Sequence, residues 1–397
     1  MRKLSVVGCL LLSLATAEAA TDSAMTPDVL AEFQAIDALA AKSAYGEAEQ
    51  KIQALLPRLQ NDPVARATLL RNLAALYGLQ KHYLHAAMTL EQAQALNALA
   101  ESDAIQAWFE LGQYYLAAEN DAKATEALTH WIQRAPAPTT EHYWLLSELQ
   151  LRLKAYAQAA QYLEKGIATA SEPKAEWYQR LLAIHHENRD WPACVRVLST
   201  LIDRFPENPL YWNQLTGVYQ QANQPLHALA VRQIMYQRGW LKTPTEIVPL
   251  AQALRLRGMP VRAAELLQRE IDQGRLEATA QHLSLLADAW TEARELEKAA
   301  ATVEKLAAVT KAAESYHRLG QIYSELHRWA KARQAITQAV KQGKLKNPGG
   351  AYLLLGLAQY RLNAKDQARA AFVKAKETPA VRKTAQQWLD HLGREGR

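Results

Sequence analysis

HYWLLSELQLRLKAYAQAA at 142–160, EWYQRLLAIHHENRDWPAC at 176–194 and LYWNQLTGVYQQANQPLHA at 210–228 decide the fold. They align at a step of 34, which puts Trp144, Tyr178 and Trp212 at one position and Ala160, Cys194 and Ala228 at another, sixteen residues further on. A large apolar ring followed at that interval by a small side chain describes two antiparallel helices that cross closely at the small residue, where anything bigger would wedge them apart. Extending the small residue along the chain gives Ala48, Ala86, Ala124, Ala160, Cys194, Ala228, Ala263, Ala299, Ala332 and Ala368. The longer steps are loop insertions, and Pro136-Ala-Pro138 and Asn347-Pro348-Gly349-Gly350 fall where two of them belong.

A 34-residue helix–turn–helix period is the signature of the tetratricopeptide repeat. Trp108, Leu111, Gly112, Tyr115, Ala124 and Pro136 match its positions in order, and so do Tyr316, Leu319, Gly320, Tyr323, Ala332 and Ala339. Tyr352, Leu355, Gly356, Ala368, Phe372 and Ala375 form a third good unit, whereas Ile247 and Leu283 replace the aromatic in two others. Helix formers dominate, and no run alternates with period two. The expected fold is all-α, a right-handed superhelical solenoid of about ten helix pairs closed by a C-terminal cap helix. The segments read as a signal peptide at 1–19, a degenerate capping repeat at 20–66, the repeat solenoid at 67–378, and a cap helix and tail at 379–397. Val381, Ala385, Trp388, Leu389 and Leu392 lie on one face of that last helix.

Met1-Arg2-Lys3, the apolar run Leu4 to Leu14 and Ala17-Glu18-Ala19 read as a secretory signal cleaved near Ala19, and hence as a periplasmic protein. Val6-Val7-Gly8-Cys9 superficially resembles a lipobox, which would lipidate Cys9, but too few residues precede it and the apolar run continues past it. Cleavage would leave Cys194 as the one cysteine, at a small-residue packing position, so no internal disulfide is expected. No later segment is apolar enough to cross a bilayer, so no stable membrane insertion is expected after signal removal.

The chain carries a net charge of +6. From Ala313 to the end, sixteen Lys and Arg face six Asp and Glu, a local excess of +10. That stretch suits an acidic partner segment or an anionic membrane surface, or simply solvates its helices. Nucleic acid is disfavoured by the export signal. Catalytic, phosphate-loop and zinc motifs are missing, so the reading is non-enzymatic, with no metal and no cofactor. His185-His186-Glu187 is the one clustered candidate, but adjacent helical residues point about 100° apart and cannot share a metal by helical geometry alone. His185 takes a packing position that often holds Tyr, while His186 and Glu187 face a groove.

In such repeats the first helix of each pair lines the concave face. The register therefore nominates Arg71, Gln113, His142, Arg152, His186, Glu187, Asn213, Gln220, Gln252, Arg255, Asp288, His317 and Gln321 as partner-binding residues. Amides, imidazoles and mixed charge suit a peptide better than a phosphate or a lipid tail. Ten tryptophans raise the alternative of sugar stacking, but Trp108, Trp144, Trp212, Trp290 and Trp388 fall at packing positions, leaving Trp191 and Trp240 less explained.

Met235-Tyr-Gln-Arg-Gly239-Trp-Leu241, Glu246-Ile-Val-Pro-Leu250, Gly258-Met-Pro260, Gly274-Arg275-Leu276-Glu277, Tyr352 to Gly356 and Ala385-Gln-Gln-Trp388-Leu389 resemble the tetratricopeptide-repeat proteins that accompany TonB–ExbB–ExbD energy-transduction systems, over residues 205–392. Trp240 departs from the small apolar residue expected after that glycine. The resemblance implies a periplasmic accessory of TonB-dependent outer-membrane uptake of iron-siderophore, haem or similar nutrients, with the periplasmic part of a TonB-type transducer as partner. Cell-envelope assembly, in polysaccharide export, pilus or outer-membrane protein biogenesis, is the alternative setting.

Overall fold

The computed structural model describes residues 26–395, so the stretch read as a signal peptide, Cys9 and the last two residues lie outside the described part. The described residues form 21 α-helices and no strand. They divide into two compact units, the first ending at Asp203 and the second beginning at Arg204.

The first unit holds five pairs: α1 (Pro27–Ala41) with α2 (Tyr45–Leu55), α3 (Pro63–Leu79) with α4 (Tyr83–Ala95), α5 (Glu101–Ala117) with α6 (Asp121–Ile132), α7 (Thr140–Arg152) with α8 (Tyr156–Thr169), and α9 (Ala175–Glu187) with α10 (Trp191–Arg204). The second holds α11 (Pro209–Gln221) with α12 (Pro225–Gln237), α13 (Pro244–Leu256) with α14 (Pro260–Asp272), α15 (Ala280–Glu292) with α16 (Leu296–Thr310), α17 (Ala313–Glu325) with α18 (Trp329–Gln342), and α19 (Pro348–Arg361) with α20 (Lys365–Lys376), then α21 (Arg382–Glu395). Starts are set locally. Proline occupies the first turn of α3, α11, α12, α13, α14 and α19, where its missing N–H costs nothing. The side chains of Asp62, Asn120, Thr279 and Asn347 accept backbone N–H bonds that would otherwise be orphaned.

Each first helix stops in the same way. Ser43, Lys81, Glu119, Lys154, Arg189, Asn223, Gly258, Arg294, His327 and Asn363 all have positive φ. The N–H of the following residue reaches back five residues to a carbonyl, as His82 does to Tyr77 and Arg328 to Tyr323, which is the Schellman closure. Only one of the ten is glycine.

This turn fixes the register. Counting five residues on from each positive-φ position reaches Ala48, Ala86, Ala124, Cys194, Ala228, Ala263, Ala299, Ala332 and Ala368, all buried. In the fourth pair the same count from Lys154 reaches Ala159, not Ala160. The Ser147 hydroxyl bonds the Ala159 carbonyl twelve residues on, and the Cys194 thiol lies 4.0 Å from the Leu182 carbonyl at the same interval. Two adjacent alanines hid this slip of one residue from the sequence, and it moves Tyr143 into the packing position assigned to Trp144.

Twelve residues before the small side chain, Gly112, Gly320 and Gly356 lie under Leu128, Ile336 and Phe372 so closely that a Cβ on any of them would overlap its neighbour. The chain ends where α21 sits against α20: Trp388 stacks on Phe372 at 5.5 Å and 8°, beside Leu353, Tyr360 and Leu389, with Ala385 and Leu392 buried.

Left-handed backbone costs an L-residue about 1–2 kcal/mol and glycine none, offset by glycine's extra chain entropy. Lys154→Gly should therefore raise unfolding free energy by roughly 0.5–1 kcal/mol in a urea titration. Trp388→Ala should lower it by about 2–3 kcal/mol, below the full core value because the indole is only half-buried.

Candidate partner-binding surface

The first helices of successive pairs are linked along one face by charge. In the first unit the Arg71 guanidinium, 6% exposed, meets Asp103 at 2.8 Å and Glu110 at 2.9 Å on α5. Burial pulls its pKa down, but the two carboxylates outweigh burial and leave it above its ordinary value. Arg71 is thus committed within the fold. Arg180 on α9 pairs with Glu148 on α7 and lies 5.9 Å from the Trp144 ring. In the second unit Asp288 on α15 receives Arg255 from α13 at 3.2 Å and Arg318 from α17 at 2.7 Å, while Glu292 takes Arg255 at 3.4 Å. Such half-exposed pairs contribute on the order of 0–1 kcal/mol each. Their clearer effect is to fix the spacing of one pair on the next and to neutralise the face.

The nominated residues therefore separate. Arg255 and Asp288 are brought into contact with each other. Arg152 is exposed and paired with Asp121 at 3.0 Å, and Gln113 is half-buried. His317 is buried. His186, Glu187, Asn213, Gln220, Gln252 and Gln321 are exposed, and His186 lies edge-on to Trp191 at 5.3 Å. His142 closes a helix: its Nδ1 accepts the Thr139 backbone N–H at 3.0 Å, completing a capping box at the start of α7, and its ring packs at 4.5 Å from Trp131 and 5.4 Å from Phe109. The corrected register puts Trp144 and Glu148 on the face in the fourth pair, one residue from where the sequence placed it. Position six of the repeat, where Arg180 and Arg318 bind the acid at position nine of the preceding pair, was not among the nominated positions.

The other side of four first helices, α3, α5, α9 and α17, carries a second polar link. Nine residues before the small side chain stand Tyr77, Tyr115, His185 and Tyr323. Tyr77 donates to Glu49 at 2.9 Å, Tyr323 donates to Glu304, Tyr115 meets Glu91 through Lys123, and His185 Nε2 lies 3.4 Å from Glu164. In each case the carboxylate belongs to the preceding pair's second helix. Burial first, and the carboxylates second, hold the tyrosines above their ordinary pKa. His185 thus serves as the tyrosine of its repeat. Among the described residues no group of three or more His, Cys, Asp or Glu is placed to hold a metal ion, and no helix is long and apolar enough to cross a membrane.

Trp240 and Trp212 are half-buried and lie 5.9 Å apart, with the Arg238 guanidinium 5.1 Å and 5.3 Å from their rings. Arg238 also pairs with Glu207 at 2.7 Å, and the Trp212 indole bonds the Pro206 carbonyl. Both rings are therefore held by protein contacts.

Residues 313–342, the pair α17–α18, match the family model of the tetratricopeptide repeat. The fold is an all-α repeat fold, of a kind that typically serves as a scaffold for protein–protein interaction. No curated protein matches the chain. Among solved structures, a tetratricopeptide repeat protein from Parabacteroides merdae is 15% identical over 65% of this chain and 97% of its own, with a TM-score of 0.33. MamA from Desulfovibrio magneticus is 17% identical over 42% of this chain and 92% of its own, at 0.33. The Cut9–Hcn1 hetero-tetramer of the APC/C is 11% identical over 96% of this chain and 85% of its own, at 0.31.

Burial lowers the pKa of both His142 and His317, with Glu141 and Glu314 opposing it only in part. A folded-state pKa below the unfolded value of about 6.5 means that stabilisation is complete above that pH and is lost as pH falls from there through the folded pKa. His142→Gln keeps an N3 side chain that can serve the capping box. It should lose less stability than the parent between pH 7 and pH 5, read as the shift in urea midpoint.

Proposed function

We propose that the chain is a non-enzymatic scaffold that holds extended segments of protein partners on the face lined by its first helices. The observation that supports this is the set of exposed amides along that face in the second unit, Asn213, Gln220, Gln252 and Gln321, beside charges that already neutralise one another. Each side-chain amide offers both a donor and an acceptor, as a peptide backbone requires, and none brings a net charge.

The setting we propose is the periplasm, after removal of residues 1–19. The partner is then the periplasmic part of a TonB-type transducer, and the role is accessory to outer-membrane uptake. This part of the proposal rests on the export pattern at the N-terminus and on the resemblance over residues 205–392. Crosslinking in cells followed by affinity capture of residues 20–397 tests it. Recovery of a transducer or its transporters is the expected outcome, and recovery of polysaccharide-export, pilus or outer-membrane assembly proteins instead would move the scaffold to cell-envelope assembly. Replacing Gln220 and Gln252 together by Ala should weaken the captured complex about tenfold, or ~1.4 kcal/mol, with the melting temperature nearly unchanged. Undiminished binding would remove this face from the proposal.

A further inference from the structure

Two of the sequence motifs that the scaffold reading leaves unused, Gly239-Trp240-Leu241 and Gly274-Arg275-Leu276, are the turns that follow α12 and α14. In both, the glycine has positive φ and the leucine two residues on is buried. The turns stand side by side and frame a cleft of about 560 Å³ whose walls include Tyr236, Gln237, Lys242, Arg269, Gln273 and Arg275. Its lining comes from the second helices α12 and α14 and the turns that follow them.

Behind two of its walls, Tyr236 and Arg275, is Glu270, a fully buried carboxylate. Arg275 donates to it twice, through Nε at 2.7 Å and Nη2 at 2.6 Å, and Tyr236 donates its hydroxyl at 2.5 Å. A buried carboxylate left alone would be costly, and this bidentate pairing satisfies it while locking the plane of the guanidinium. Arg275 remains about half exposed, with Nη1 outside the pairing. Lys242 and Arg269 are exposed and form no salt bridge among the described residues, though the Arg269 guanidinium interacts with the Tyr236 hydroxyl. Three cations thus face one carboxylate that is already neutralised, leaving the cleft with an excess of two positive charges. Gln237 and Gln273 are exposed on its walls.

We infer that this cleft is a second partner-binding site, which takes carboxylate side chains of an acidic peptide segment. Arg275, held rigid by Glu270, and Arg269 present guanidinium N–H groups suited to carboxylate oxygens, and Lys242 adds a mobile charge at the rim. The two glutamine amides supply acceptors as well as donors, which a peptide backbone uses and a free phosphate, bearing acceptors only, does not. The inference rests on reading the chain as a protein-binding scaffold, but not on which transport or assembly system it serves.

The test is fluorescence anisotropy of a labelled ten-residue peptide rich in Asp and Glu, titrated with residues 20–397 at low salt, beside the same peptide carrying Asn and Gln. Lys242→Gln with Arg269→Gln removes the two cations outside the Glu270–Arg275 salt bridge and spares Arg275, whose loss would strand Glu270. Lys331→Gln with Arg333→Gln removes equal charge from α18 as the control, and circular dichroism checks that both variants are folded. The acidic peptide should bind, the cleft variant should weaken it at least tenfold, the control should change it by less than twofold, and the amide peptide should not bind. Equal loss in both variants, which means general charge attraction, overturns the inference. So do undiminished binding in the cleft variant, binding of the amide peptide, and displacement by inorganic phosphate at the peptide's own concentration. Failure here with successful capture in cells removes the cleft alone, whereas success here with failed capture leaves the cleft and removes the first-helix face and its setting.

Discussion

Every helix pair depends on one close approach, that of a small side chain near the start of the second helix to the backbone of the first. The left-handed turn five residues earlier aims the chain into that approach, and the missing side-chain volume lets it close. Because the two features are separated by a fixed number of residues, neither can drift without the other. Loop insertions are accordingly found between pairs, as at 133–139 and 343–347, and not within them.

That constraint explains which parts were legible in the sequence. The small residue and the ring sixteen before it are decided by packing, so they recur visibly, and nine of the ten small positions were read in the correct register. The tenth failed because Ala159 and Ala160 are chemically the same and only the backbone at Lys154 tells them apart. Trp388 and its neighbours were readable on the cap helix for the same reason as the core: an apolar stripe with helical spacing has one explanation.

The charged contacts were much less legible. Arg71 and Gln252 both fall at positions of the outward face, yet one is enclosed by two carboxylates of the next helix and the other is exposed. Which occurs depends on partners thirty or more residues away, such as Asp103 for Arg71 or Asp288 for Arg318, and those partners lie in the adjacent repeat. Glu270 is the extreme case. Its position on a strongly amphipathic helix suggests nothing unusual, and only the return of the chain at Arg275 explains how a carboxylate can be fully buried there. The polar pattern is a property of adjacent repeats, whereas the apolar pattern belongs to each one.

The cap helix has a bearing on association between molecules. A row of stacked pairs presents the same kind of surface at its end as at each internal junction, so an uncovered end would accept the start of another copy, and repetition of that head-to-tail contact gives an open filament. The outward residues of α21, among them Arg382, Lys383, Gln387, Asp390 and Arg394, are charged or amide-bearing, while its apolar side is spent on Phe372 and Leu353. Among the described residues the second unit therefore finishes in a charged and amide-bearing helix face, unlike the apolar faces by which its pairs meet one another.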